Sequence, residues 1–203
     1  MKQYPSIPRE IKQGLSIYAF DKIDGSHIRC EYNSKKGFYK FGSRKRLLGT
    51  DQVAIHKAEH IILNNWSEAF SRIAKKQRWD RAVLFFEFAG PNSFAGTHNE
   101  NDNHDVWLID VAPYKKGILP PKEFVDLFGE LQITDLLYHG PCDYDFIQSV
   151  KKSTLEGVTE EGVVCKAKSK HGIPTMFKIK SERWLTRLKE YCNGDENMFD
   201  KLV

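Results

Sequence analysis

Short apolar runs, most of them holding a single charged residue, alternate with polar turns along the chain. Leu15–Phe20, His27–Asn33 and Gly37–Phe41 have the length and side-chain character of strands, and Ser34-Lys35-Lys36 joins the last two as a hairpin. Val53, Ile55, Ile62, Trp66, Ala69, Phe70 and Ile73 keep helical spacing, which predicts one long helix over Asp51–Lys76 with Thr50 or Asp51 as N-cap. Ala82–Ala89 is almost wholly apolar and therefore predicted central in a sheet, and Asp105–Val111 is a further buried strand. Short helices are predicted at Lys122–Gly129 after Pro120-Pro121 and at Tyr144–Lys152. Gly162–Lys168 and Pro174–Ile179 read as strands joined by Ser169-Lys170-His171-Gly172, and Ser181 caps a last helix, Glu182–Tyr191, that Gly194 ends. Pro5 and Pro8 mark an extended lead-in. Strands outnumber helices and connections are short, so the predicted class is α+β with mainly antiparallel β-sheets flanked by helices.

At 203 residues, 40% hydrophobic and 12% aromatic, the chain is long enough for a single domain with a real core. The four cysteines are far apart and form no CxxC pair, as expected of reduced thiols in a cytoplasmic protein. No run approaches the ~18 apolar residues of a membrane span, and the N-terminus lacks a signal-peptide core. A net charge of +4 is a mild bias toward polyanions, held in short clusters such as Lys35-Lys36, Arg44-Lys45-Arg46, Lys75-Lys76 and Lys115-Lys116.

Charged residues inside apolar strands are the unusual feature. Lys22 and Asp24 follow the first strand, Glu87 sits between Phe86 and Phe88, and Asp110 between Ile109 and Val111. Glu161 opens Glu161-Gly162-Val163-Val164-Cys165-Lys166, and alternation places Lys178 and Lys180 on one face of their strand. Burying a charge is costly unless it is paired. Each island alone reads as a structural ion pair; a set of them around one cleft reads as chemistry. A lysine of ordinary pKa ~10.4 is protonated at neutral pH and no nucleophile. Neighbouring ammoniums, a metal ion and desolvation favour its neutral form, and the same cations stabilise a phosphate under attack. Glu87 and Glu161 could hold a ribose hydroxyl or a magnesium ion.

The ordered set Lys22-Ile23-Asp24-Gly25, Ser43-Arg44, Phe86-Glu87-Phe88, Ile109-Asp110, Glu161-Gly162-Val163-Val164-Cys165-Lys166 and Lys178-Ile179-Lys180 resembles the covalent nucleotidyltransferases, which comprise ATP-dependent RNA and DNA ligases and mRNA capping enzymes. The resemblance implies the ligase-type nucleotidyltransferase (ATP-grasp-like) fold. It also implies that Lys22 attacks the α-phosphate of ATP and carries AMP, with Asp21 beside the nucleotide and Asp24 acting near the acceptor 3′-hydroxyl. Arg44 and Glu87 would hold the ribose, Val163 and Ile109 would pack on the adenine, and Lys178 and Lys180 would contact phosphates. Glu161, with Glu87, would bind Mg2+ or Mn2+. His27 stands where RNA ligases often have Asn and DNA ligases Arg.

After Lys180 only 23 residues remain, too few for the OB-fold domain of DNA ligases and capping enzymes, so the expectation is a single adenylyltransferase domain of a phage-type RNA ligase, monomeric, acting on RNA. A DNA ligase or one that accepts hybrid ends, a capping guanylyltransferase and a non-catalytic nucleic-acid-binding module are the alternatives. Two further patterns read otherwise than their chemistry suggests. His56-Lys57-Ala58-Glu59-His60 matches a zinc-peptidase spacing, yet on a lysine-rich helix it reads as a solvated face. His98–Asp105 is rich in metal-capable groups without EF-hand spacing, and is expected to be a mobile loop over the cleft, touching nucleic acid.

Overall fold

The computed structural model describes residues 1–44, 47, 53–168 and 173–203, with the backbone only at 53–55. The proposed caps Thr50 and Asp51, the rest of the basic loop after Arg44, and the Ser169–Gly172 connection lie outside them. Eight strands and five helices are described: β1 Ser16–Asp21, β2 Ser26–Asn33, β3 Gly37–Ser43, α1 Val53–Gln77, β4 Arg81–Ala89, β5 Asp105–Pro113, α2 Pro121–Phe128, β6 Leu136–Pro141, α3 Tyr144–Lys151, β7 Gly162–Ala167, β8 Thr175–Lys180, α4 Glu182–Cys192 and α5 Glu196–Leu202. They form two antiparallel four-stranded sheets flanked by helices. The contacts divide the chain into two compact units.

One unit joins Met1–Pro5 to Gly25–Ile133. Its sheet has the order β3-β2-β4-β5, with the apolar β4 in the interior as its composition requires. Alternation sends Ile28, Cys30 and Tyr32 of β2 and Leu84, Phe86 and Phe88 of β4 into a core, where all are at most 5% exposed. Trp66 and Phe70 of α1 close that core edge-on against Phe86 and Tyr32, and Phe128 of α2 stacks on Phe70.

The other unit joins Ser6–Asp24, Thr134–Lys168 and Thr175–Val203, and its sheet order is β6-β1-β7-β8. Ile17 and Ala19 of β1, Val163 and Cys165 of β7 and Phe177 and Ile179 of β8 share one face, covered by Phe146, Ile147 and Val150 of α3. The opposite face therefore carries Phe20, Val164 and Lys178, which are cross-strand neighbours.

Two elements were not anticipated. β6 is an edge strand whose Gly140-Pro141 end reads as a turn, and its side chains do not alternate between buried and exposed. α5 buries no residue, so no apolar periodicity betrays it; Asp195, whose side chain accepts from the Met198 N–H, was the available signal. Elsewhere the elements fall within two residues of expectation where both ends are described. Asn193 (φ 45°), one residue before Gly194, takes the left-handed C-cap of α4.

Candidate active site

Lys22 lies immediately beyond β1, where its N–H continues the sheet by donating to the Gly162 carbonyl at 2.9 Å. Glu161 stands next to that glycine, and its side chain is only 5% exposed. Its Oε2 receives Lys22 Nζ at 2.7 Å and its Oε1 receives Lys180 Nζ at 2.7 Å. Burial pushes the Glu161 carboxyl up, but the two ammoniums outweigh it and hold the group below the usual carboxylate range.

The glycines of the two motifs have steric reasons. Gly162 has φ +125°, and a Cβ there would lie 2.1 Å from the Ile179 carbonyl oxygen. A Cβ at Gly25 would lie 2.4 Å from the Phe88 carbonyl oxygen. In both cases the obstacle is backbone, which cannot swing aside as a side chain can.

Lys178 and Lys180 project from the same face of β8. Burial, together with the charges of Lys180 and Lys22, pushes the Lys178 ammonium down to about 8 despite Glu161. Burial also lowers Lys180, which Glu161 partly restores. Lys178 Nζ donates to the Val203 carbonyl at 2.8 Å. Three cations thus surround one carboxylate, a field suited to a strongly anionic ligand.

Trp184, which sequence reasoning passed over, ties the cluster to Asp24. Its indole Nε1–H donates to Asp24 Oδ2 at 2.7 Å, while Lys180 Nζ stands 3.6 Å from the ring centroid. The position follows from the cap of α4: Ser181 Oγ accepts from the Trp184 N–H at 3.1 Å, which seats the indole in the first turn at 1% exposure. A buried Trp three residues after a capping Ser was legible as packing; its acidic partner 160 residues away was not.

Two expected site residues, Asp21 and Val163, pair with each other across β1 and β7. Asp21, the last residue of β1, is 4% exposed. Its oxygens accept from the Thr159 N–H (3.1 Å) and hydroxyl (2.9 Å), and burial raises its pKa. Asp21 thus braces the loop before Glu161. Val163 has 0% exposure and belongs to the α3-facing core. The half-buried Val164 is the β7 valine on the face of Lys178.

The remaining expected residues belong to the other unit. Glu87 is half-buried on β4, paired across the sheet with His27 and Trp107. Ile109 is the extra residue of a β-bulge, for Phe85 pairs with Asp110 and Phe86 with Leu108. Arg44 is exposed just past β3. On this sheet face Tyr4 packs 4.9 Å from Phe85 and 5.1 Å from His27, and its hydroxyl donates to the buried Asp110. Arg29, 3% exposed, donates to the Met1 and Lys2 carbonyls. The proline-bracketed lead-in is thus docked in part, which its sequence did not suggest.

The His98–Asp105 loop makes several side-chain contacts within its unit. Asp102 accepts from the Asn92 N–H and side-chain amide, His98 bonds with Ser26 (2.8 Å) and Ser93 (2.8 Å), and His104 stacks on Phe88. Among the described residues no three metal-capable side chains converge, the His56–His60 stretch included. A divalent ion at Glu161 would have one carboxylate and must draw its other ligands from elsewhere, as Mg2+ commonly does from waters and substrate phosphates. The donor set fits that kind of ion and no self-sufficient metal cage.

A family model described as RNA ligase matches residues 16–180. The chain belongs to the RNA ligase family. Solved structures agree in fold. A Naegleria gruberi RNA ligase variant with ATP and Mn aligns at TM-score 0.62 and 19% identity, covering 86% of this chain and 52% of that one. An apo variant of the same ligase gives 0.64 and 17%, covering 93% and 60%. An archaeal ATP-dependent RNA ligase gives 0.66 and 16%, covering 95% and 52%. The chain spans between half and three-fifths of the length of these proteins. Among curated proteins no sequence matches it. No helix among the described residues is long and apolar enough to cross a membrane.

Proposed function

We propose that this chain is the nucleotidyltransferase domain of an ATP-dependent RNA ligase that joins a 5′-phosphate end to a 3′-hydroxyl end. The reading is carried by the shared carboxylate of Glu161, with Lys22 and Lys180 each 2.7 Å away. Lys22 Nζ, once deprotonated, attacks the α-phosphorus of ATP; the N–P bond forms as the bond to pyrophosphate breaks. The AMP group then passes to the 5′-phosphate of an RNA end. Finally the 3′-hydroxyl attacks that phosphate, the new phosphodiester forms and AMP leaves. Lys178 and Lys180 offset the charge of the phosphates, and Asp24, held by Trp184, orients the acceptor end.

In this reading Val164, the β7 valine on the face of Lys178, contacts the base. Glu161 would hold Mg2+ or Mn2+, which supplies charge neutralisation on the phosphates when bound. Support comes from the family membership and from solved relatives described as holding ATP or AMP with Mn. The protein would act as a monomer in the cytoplasm.

The test is incubation with ATP labelled at the α-phosphate and magnesium, followed by denaturing electrophoresis. Wild type should carry an acid-labile label that Lys22→Ala abolishes. An unlabelled wild type, or a labelled Lys22→Ala, would refute the mechanism. Sealing assays with RNA, DNA and hybrid ends then fix the acceptor, and equal sealing of all-DNA nicks would count against RNA.

A further inference from the structure

Positive charge is concentrated at one rim of the β3-β2-β4-β5 sheet. The hairpin tip at 33–40, the α1–β4 junction at 75–81 and the β5 turn at 113–117 together hold nine basic residues and one acid, whereas the whole chain nets only +4. The three segments are neighbours by hydrogen bonding. Ser34 N–H donates to the Asp80 carbonyl at 2.9 Å, and Tyr114 N–H to the Arg81 carbonyl at 2.9 Å. Lys35, Lys36, Lys75, Lys76, Arg78, Arg81, Lys115 and Lys116 are all exposed there.

Two features distinguish this rim from an ordinary solvated face. The first is aromatic: Tyr114 is 57% exposed and carries the Arg81 guanidinium 3.8 Å from its ring centroid, with Lys115 Nζ at 5.6 Å. Tyr39 is 44% exposed, with Lys36 Nζ at 5.6 Å. Exposed rings beside cations are what unpaired bases stack on. The second is a recess of about 400 Å³ between hairpin and helix, lined by Ser34, Ser71, Lys75, Arg78 and Trp79. Trp79 is 5% exposed, and its indole N–H is buried with no hydrogen-bond partner among the described residues. Hydroxyls and two cations suit a phosphate oxygen.

Two features oppose an anion here: Asp80 also lines the recess, and the recess lies at the C-terminal end of α1. Its dipole amounts to roughly half a negative charge. Arg78 and Trp79 N–H groups already engage the Lys75 and Ala74 carbonyls, and the basic side chains of the rim outweigh the remainder.

We propose that this rim is a docking surface for single-stranded nucleic acid. The recess takes a backbone phosphate, and Tyr114 and Tyr39 take bases on either side. Only the identification of the strand as RNA rests on the ligase reading; the surface itself rests on charge, exposed rings and the recess.

The test measures anisotropy of a labelled 12-nucleotide single-stranded RNA against salt, for the wild-type protein, Lys75→Ala/Lys116→Ala and Tyr114→Ala, with Lys22 labelling run in parallel. None of these residues belongs to the nucleotide machinery, so labelling should be unchanged. Losing two phosphate contacts should flatten the log–log salt slope by about 1.4, and losing the ring should weaken binding about tenfold. Wild-type affinity and slope in both variants would overturn the proposal. So would binding of vesicles rich in anionic lipid in place of the RNA. Absence of Lys22 labelling in wild type would refute the ligase reading, while the RNA titration would still decide this surface.

Discussion

Lys178 should cost the folded protein stability, and that cost can be read as a pH slope. Burial and the charges of Lys180 and Lys22 depress the ammonium from 10.5 to about 8. Between those values the unfolded chain holds a proton that the folded chain has released. Unfolding therefore takes up protons, and stability rises with pH across that window. The penalty is complete below pH 8 and relieved by about 10.5. A gap of about 2.5 at 1.36 kcal/mol each bounds it at about 3.4 kcal/mol, and solvent screening of a half-buried side chain reduces this to roughly 1–2 kcal/mol. Urea unfolding of wild type and Lys178→Met at pH 7, 8, 9 and 10 measures the effect of removing this ammonium from the cluster. The wild type should gain relative to the variant as pH rises, by that amount in total. The variant also orphans the Val203 carbonyl, a pH-independent offset, so the slope is diagnostic and the absolute difference is not. Parallel curves would refute the reasoning. A lysine retained against such a cost has a use, and Lys22 labelling should fall in the same variant.

Three further changes separate neighbouring roles. Trp184→Phe keeps a ring near Lys180 but removes the N–H to Asp24; Lys22 labelling should persist while RNA sealing falls about 10- to 100-fold, the worth of a hydrogen bond to a charged group, and equal loss of both steps would count against a positioning role. Val163→Ala should destabilise by about 2 kcal/mol through a cavity in the α3-facing core, whereas Val164→Ala should raise the KM for ATP with little change in melting temperature; the reverse pattern would undo the assignment of faces. Asp21→Asn should leave the KM for ATP unchanged, since its carboxylate faces Thr159; a marked rise would restore it to the nucleotide site.

Much of this was legible because burial writes itself into strands. The islands of charge at Lys22, Asp24, Glu87, Glu161, Lys178 and Lys180 stood out against apolar neighbours, and the glycines after Asp24 and Glu161 marked close backbone approach. Alternation then had to be applied strictly. It separates Val163, in the α3-facing core, from Val164, on the face of Lys178. Contacts between residues far apart in sequence left no local trace. Trp184 with Asp24, Thr159 with Asp21 and Tyr4 with Asp110 each look like unremarkable packing or loop residues in isolation. β6 and α5 escaped because an edge strand and a helix without buried residues carry little periodicity.

If Lys22 is the nucleophile, as proposed, its pairing with Glu161 bears on how a reactive amine survives in a cell. Aldehydes, acyl phosphates and activated esters modify neutral amines and leave ammonium ions largely alone. With the carboxylate 2.7 Å away, the side chain is stored as its salt. A polyphosphate that competes for the surrounding lysines, and a cation that competes for Glu161, would be the reagents that release it. In the proposed mechanism the nucleophile is thus latent toward stray electrophiles and armed by its own substrate.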